Sequence, residues 1–327
     1  MKRFQRKLIA SGIIGNLLDG YDTCIFGYMA FYIASYFFVS PDTLNDLLKT
    51  LIIFTLSYLV RPIGGLVFGL IGDYVGRKKA FVSSLLLMGT STTLIGILPG
   101  FNALGMLAIW LLLLLRILQS FGAGAEYTNS IVFLYEHAPE KQATFMTSFA
   151  AFGINLGFFC AAIIGSFVAA LMQAHILGDW GWRLPFLIAI IGTFMGIWIR
   201  QSVPETIPFI MNNALKPRDF KQFFAQLCHD ARQNHMNYLT LIAVIWLGTA
   251  STYLLYIYFP IHLSTIRHIP YSQSLIINTV SIALLVIYIP VFSYFSDRWE
   301  RRKAILLATV GYLVLYYSNL NLRRCCG

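Results

Sequence analysis

The chain has 327 residues, of which 57% are hydrophobic and 12% charged, and its mean hydropathy is +0.68. Soluble domains carry about 25% charged residues, so a soluble globule is excluded; apolar runs of about 18 residues or more recur as transmembrane helices do. The formal charge of +10 does not point to nucleic acid, because the cations sit in short loops between apolar runs, on alternate sides.

In chain order, residues 1–7 are basic like the start of a signal peptide. The apolar run that follows contains Asp19 and Asp22, continues to Phe38 and has no clear cleavage site. It reads as a retained first span. Nine spans are predicted, at 8–37, 48–72, 80–98, 104–135, 143–172, 183–201, 238–262, 272–296 and 304–320. The fold class is therefore an all-α polytopic membrane protein. The longest connection, 202–237, carries three prolines and mixed charges, and part of it (219–233) suits a weakly amphipathic surface helix. It divides the chain into a six-span bundle at 1–201 and three spans at 238–320, followed by an irregular tail at 321–327.

Seventeen of the 24 Lys and Arg residues fall on the side of the N-terminus. They are four in 1–7, three in 77–79, Lys141, Arg200, four in 202–237 and four in 298–303. Only Lys49, Arg183 and Arg267 lie near the opposite loops. The asymmetry makes the N-terminus cytoplasmic, and Trp180 and Trp182 suit the aromatic belt of the far interface.

Residues 61–79 are the landmark. A glycine-rich helix ends at Asp73, turns at Gly76 and passes through Arg77, Lys78 and Lys79 into the next apolar run. So short and basic a connection is a cytoplasmic hairpin turn. The turn at 73–80 has a partner at 297–304, in which Asp297, Arg301, Arg302, Lys303 and Ala304 align at an offset of 224 residues. Such spacing marks parallel repeats, two bundles related by an axis along the membrane normal.

On these residues the chain resembles the major facilitator superfamily. Gly69-x-x-x-Asp73-x-x-Gly76-Arg77-Lys78-Lys79 is similar to its loop 2–3 signature. Further likenesses point to the metabolite:H⁺ symporter branch, which includes proline/betaine, α-ketoglutarate, citrate and shikimate permeases. They are Asn16 with Asp19 and Asp22, Arg61-Pro62-x-Gly64-Gly65, Arg116-x-x-Gln119 with Gly124-x-Glu126-Tyr127, and Asp179-Trp-Gly-Trp-Arg183-x-Pro185-Phe186. The resemblance implies a secondary transporter for a small organic anion or zwitterion, with the proton as coupling ion and no other cofactor. It further implies that Arg61, Pro62, Gly65, Gly69, Asp73, Gly76, Arg77 and Lys78, with Asp297, Arg301 and Arg302, form gating or structural elements. Full members carry twelve spans. Nine are expected here, with a possible frameshift near 318–322, so a non-transporting remnant or partner subunit is the rival expectation.

A charge at the bilayer centre costs at least about 2.5–3.5 kcal/mol, which singles out Asp19, Asp22, Arg61, Arg116 and Glu126. Asp19 and Asp22 share a helix face. Two poorly solvated carboxylates so placed repel each other, as suits a group that loads and unloads a proton; equally, one of them neutralises Arg61 or Arg116. Arg116 either anchors a substrate carboxylate through a bidentate contact or pairs with Glu126 or an Asp of the first span. The resemblance favours the anchor, with Asn16, Gln119 and Tyr127 as companions in substrate binding. Glu126 reads as a second proton site or a gate residue. Gly64, Gly65, Gly69 and Gly72, like Gly153 and Gly157, read as packing glycines, and Tyr253, Tyr256 and Tyr258 as packed or interfacial. The fifth span has no proline after Ala143 and so lacks the Gly-Pro pattern that the resemblance associates with antiporters, which favours symport. The five cysteines and six histidines form no metal spacing, and no nucleophile–base pair suggests an enzyme. The expected partners are a small-molecule substrate and the bilayer, with no nucleic acid.

Overall fold

The computed structural model describes residues 3–38, 43–138, 142–202 and 232–296, with a few isolated positions besides. Every element among them is helical, as the bilayer requires of backbone groups that have no water to bond. Seven helices are long and apolar enough to cross a membrane. They run over Leu44–Gly72, Arg77–Ile97, Met106–Glu136, Ala143–Gln173, Gly181–Gln201, His235–Thr265 and Tyr271–Ser293, each within a few residues of a predicted span. The ninth expected span, the tail, Asp297, Arg301 and Arg302, and most of the 202–237 connection lie outside the described residues.

The first expected span is helical as well, as α1 (Arg3–Tyr28) and α2 (Ala30–Phe37), yet it is not among the seven. Asn16, Asp19 and Asp22 make it too polar. The polarity is tolerated because protein, not lipid, surrounds it: all three residues are buried. At one end Leu8 and Ile9 pack with Phe81, Leu134 and Met146. At the other, Tyr36 meets Trp182 and accepts a hydrogen bond from Arg183 Nη2 at 2.7 Å.

The remaining helices are α3 (Thr43–Tyr58), α4 (Arg61–Tyr74), α5 (Arg77–Ile97), a single turn α6 (Phe101–Leu104), α7 (Met106–Ala123), α8 (Glu126–Glu136), α9 (Ala143–Gln173) and α10 (Leu184–Gln201). After the long connection come α11 (His235–Tyr253), α12 (Phe259–Thr265) and α13 (Tyr271–Ser296). Three apolar runs that read as single spans are interrupted. The second breaks at Leu59–Val60, so that Pro62 falls in the first turn of α4, where its missing N–H leaves no bond unmade. The fourth breaks at Gly124–Ala125. The two breaks face each other: a Cβ at Gly64 would collide with the Phe121 carbonyl, and one at Gly124 with the Arg61 carbonyl. The seventh loosens into a π-turn at Leu254–Tyr258 ahead of Pro260. Pro260 has no N–H to give the Tyr256 carbonyl, and Asn278 Nδ2 of α13 supplies that hydrogen bond at 2.9 Å.

The basic turn behaves as a hairpin. Gly76, at φ 123°, closes it. Arg77 pairs with Glu136 at the end of α8 at 3.1 Å, and Lys78 Nζ donates to the Gln201 carbonyl at the end of α10. Both cations therefore sit at helix C-termini, where positive charge is favoured. The Asp73 side chain lies outside the described residues. Among the glycines expected to pack, Gly69 differs from Gly64: no described atom lies within 4 Å of where its Cβ would stand.

A buried ion pair fastens four spans. Arg200 Nη2 meets Glu126 Oε2 at 2.6 Å and Nη1 meets Oε1 at 2.9 Å, while Ser84 of α5 donates to Oε1 at 2.6 Å. Gly15 of α1 makes room for it, since a Cβ there would strike both side chains. Removing one partner of such a pair strands the other charge at a cost of about 3–5 kcal/mol. Glu126→Ala and Arg200→Ala should each lose that much in detergent unfolding titrations, and the double variant should recover part of it. In the same assay Gly64→Val should cost about 1–3 kcal/mol by overpacking, and Gly69→Ala less than about 0.5 kcal/mol.

Candidate functional site

Where the two helix breaks meet, the bundle forms a small polar cavity with room of about 10 Å³, roughly one water molecule. Asp19, Asp22 and Thr23 of α1, Tyr58 of α3, Arg61 of α4, Met88 of α5, and Arg116, Gln119, Ser120 and Ala123 of α7 line it. The geometry follows from the sequence. The three-residue spacing turns both carboxylates of α1 to one side, and Arg116, Gln119 and Ala123 repeat at helical spacing along α7. The start of α4 brings Arg61 to the same depth.

Asp19 and Arg61 are partners: Oδ1 accepts from Nη2 at 2.8 Å, and Nη2 also reaches Thr23 Oγ1 at 3.1 Å. The Arg61 guanidinium lies 4.4 Å from the Tyr58 ring centroid. Arg116 is placed differently. Its guanidinium is stacked 4.1 Å over the Phe26 ring and 5.1 Å from that of Phe54, and Nη1 donates to Gln119 Oε1. Among the described residues no carboxylate is in ion-pair contact with it, and its Nε has no hydrogen-bond partner. Asp22 Oδ2 accepts from Thr92 Oγ1 at 2.6 Å, whereas Oδ1, also buried, has no described partner.

Of the residues that the sequence singles out, Asp19, Asp22, Arg61, Arg116 and Gln119 come together here. Three do not. Glu126 is engaged by Arg200 outside the cavity, so it is not the partner of Arg116. Asn16 is fully buried on the flank of α1 that packs against Gly153, with Nδ2 bonded to the Gly12 carbonyl at 2.7 Å. Tyr127 is 40% exposed. Sequence reasoning missed Arg200 and Thr92. Arg200 was legible: it ends the sixth span on the side toward which Glu126 is displaced, and a cation and a carboxylate at matching depth are candidate partners. Thr92 gave no signal, being one of several hydroxyls in an apolar helix.

The family description of the Major Facilitator Superfamily matches residues 12–318. The proline/betaine transporter of Escherichia coli (strain K12) is 32% identical over 321 residues, which cover 95% of this chain and 63% of that protein. The glycine betaine/proline/ectoine/pipecolic acid transporter OusA of Dickeya dadantii (strain 3937) is 30% identical over 318 residues, with the same coverage of 95% and 63%. The chain thus spans a little under two thirds of the length of these relatives. Among solved structures, that of a D-xylose-proton symporter aligns at a TM-score of 0.68, with 19% identity over 91% of this chain and 70% of that one. A partially occluded, inward-open form of the xylose transporter XylE from E. coli aligns at 0.64, with 18% identity over 91% and 74%. At such identities the two structures speak for the fold alone. With the family pattern running through nearly its whole length and the fold in agreement, this multi-pass membrane chain belongs to the Major Facilitator Superfamily, whose members act by conformational transport rather than catalysis.

Proposed function

We propose that the chain is the bundle 1–201, the connection 202–237 and the spans 238–320 of a proton-coupled symporter of the metabolite:H⁺ branch. Its solute is a small organic anion or zwitterion bearing a carboxylate, taken up across a bacterial inner membrane with the N-terminus in the cytoplasm. The observation that carries the reading is Arg116: a buried guanidinium beside the Phe26 and Phe54 rings, with no described carboxylate against it. A solute carboxylate is the group that completes it through paired hydrogen bonds. The relatives named for proline and betaine, both carboxylate-bearing zwitterions, support this choice of chemistry.

The charges of the cavity supply the coupling. Asp19 and Arg61 neutralise each other, which leaves Asp22 and Arg116. With Asp22 ionised, the cavity is neutral overall. With Asp22 protonated, one guanidinium is uncompensated in a poorly solvated site, which is costly, and a bound carboxylate cancels it. Proton and solute therefore favour each other's binding, and they cross together. With room of about 10 Å³, roughly one water, the cavity is far smaller than the roughly 300–1,000 Å³ of typical ligand sites, so solute entry requires rocking of the two repeats. Asp73, Arg77 and Lys78 fit a latch on the cytoplasmic side of that motion.

Uptake of labelled proline, betaine and dicarboxylates into proteoliposomes tests the reading. Arg116→Ala should lower uptake at least about tenfold, since losing one partner of a buried charged contact costs about 2–5 kcal/mol and 1.4 kcal/mol is a factor of ten. Asp22→Asn, fixed in the neutral form, should keep solute counterflow but lose accumulation driven by a pH gradient. In the unaltered chain, solute affinity should fall as rising pH removes the Asp22 proton. Unchanged uptake in both variants would remove these residues from the mechanism.

A further inference from the structure

We propose that Thr92, in the third span, is the switch that lets Asp22 change its charge while keeping a hydrogen-bonded partner, and that it conveys the change to Arg116 through Gln119. The inference rests on the reading of Asp22 as the proton carrier and adds to it the residue that makes the carrier workable inside the bundle.

Four contacts carry it. Thr92 Oγ1 lies 2.6 Å from Asp22 Oδ2 and 3.0 Å from the Met88 carbonyl one turn back in α5. Gln119 Nε2 donates to Thr92 Oγ1 at 2.7 Å, and Gln119 Oε1 accepts from Arg116. A hydroxyl has one proton to give and two lone pairs to accept with, so Thr92 cannot donate to Asp22 and to Met88 at once. Its two acceptors correspond to two states. When Asp22 is ionised, Thr92 donates to the carboxylate and accepts from Gln119. When Asp22 takes a proton from water admitted as the cavity opens, the new acid O–H donates to Thr92 Oγ1, and the Thr92 hydrogen turns to the Met88 carbonyl. Thr92 then accepts from Asp22 and Gln119 together, which fills its lone pairs. Neither state leaves Oδ2 or the hydroxyl unsatisfied, and an unsatisfied buried polar group is what would otherwise penalise one charge state. The turn requires rotation about one side-chain bond, with no movement of a helix.

The link to Arg116 follows from the same hydrogens. Gln119 is held at both ends, its amide nitrogen by Thr92 and its oxygen by Arg116. An oxygen that also accepts from Asp22 binds the Gln119 amide less strongly, so protonation of Asp22 loosens the hold on the guanidinium at the moment when a solute carboxylate is needed there. The other charged and titratable groups around Asp22 are Asp19 and Tyr21 on its own helix, Tyr58, Arg61 and Arg116 across the cavity, and Cys160 of α9 beside Tyr21. Among them Arg61 is engaged by Asp19, and Tyr21 donates to the Pro185 carbonyl at 2.7 Å. Asp22 Oδ2 has its described hydrogen bond from Thr92.

The test is pH-difference infrared spectroscopy of the purified full chain, which reads the C=O stretch of a protonated carboxyl and does not depend on transport. The Asp22 band is assigned by its loss in Asp22→Asn. In Thr92→Val, which keeps the shape and removes the hydroxyl, the band should move to higher frequency. Its titration should rise by about one pH unit or more, because the carboxylate loses more than the acid when a donor to a charged group is removed. Thr92→Ser should restore both. Thr93→Val is the control, since among the described residues the Thr93 hydroxyl bonds within its own helix, to the Gly89 carbonyl at 2.9 Å; it should leave the band alone. A band assigned to Asp22 that is unmoved in Thr92→Val overturns the switch and leaves the proton carrier standing. If no titrating band is lost in Asp22→Asn, the carrier and the switch both fall.

Discussion

Charge compensation away from water is the constraint on which the arrangement of this bundle depends. Every ionised group inside a span must find an opposite charge or a set of donors. The first half of the chain meets that demand in two layers. Near the basic turn, Glu126 and Arg200 form a closed, doubly bonded pair with Ser84 beside them. Deeper in the bundle, Asp19 and Arg61 form a second pair. In the first pair both carboxylate oxygens are bonded to the guanidinium and Gly15 leaves room for the contact, so it acts as a fastener. The second opens onto a cavity in which Asp22 and Arg116 are not paired with each other. The difference between a satisfied pair and two separated groups is what divides structure from function here.

Helix packing brings the two layers to their depths. The first helix is surrounded by others and can be polar, whereas the helices around it meet lipid on their outer faces and stay apolar. The breaks at Leu59–Val60 and Gly124–Ala125 turn the chain at the level of the cavity, and the close approach of Gly64 to Phe121 lets the broken segments touch. In the second half, a proline-induced π-turn frees a carbonyl that Asn278 takes up, and Asn278 also donates to the Tyr28 hydroxyl at 3.0 Å. Tyr271 reaches the Tyr28 carbonyl at 3.0 Å. Tyr28 of the first helix thus holds the eighth span directly and the seventh through Asn278.

Much of this was legible beforehand, for physical reasons. Apolar runs near the length of a bilayer are hard to mistake, so eight of the predicted spans fall on described helices. Asp19, Asp22, Arg61 and Arg116 stood out because charges inside spans are expensive. What could not be read was the pairing. Spacing along one helix says which side chains share a face, but not which side chain of another helix meets them, so Arg116 was left between Glu126 and an aspartate of the first span, and Arg200 was counted with the loop cations. Two residues of the motifs lie away from the cavity, Asn16 toward α9 and Tyr127 exposed. Thr92 was invisible for another reason: a threonine in a helix bonds to its own backbone in most settings, and only the approach of Asp22 and Gln119 gives its hydroxyl a choice.

The central claim is that the proton and the solute carboxylate share one charge balance in the cavity. Calorimetric titration of the purified chain with the transported solute, in buffers of differing ionisation enthalpy, measures the protons exchanged on binding. The account predicts net proton uptake on binding, up to about one proton per solute, at a pH where Asp22 is largely ionised, and none in Asp22→Asn. Solute binding with no proton exchange at any pH in the unaltered chain would contradict it.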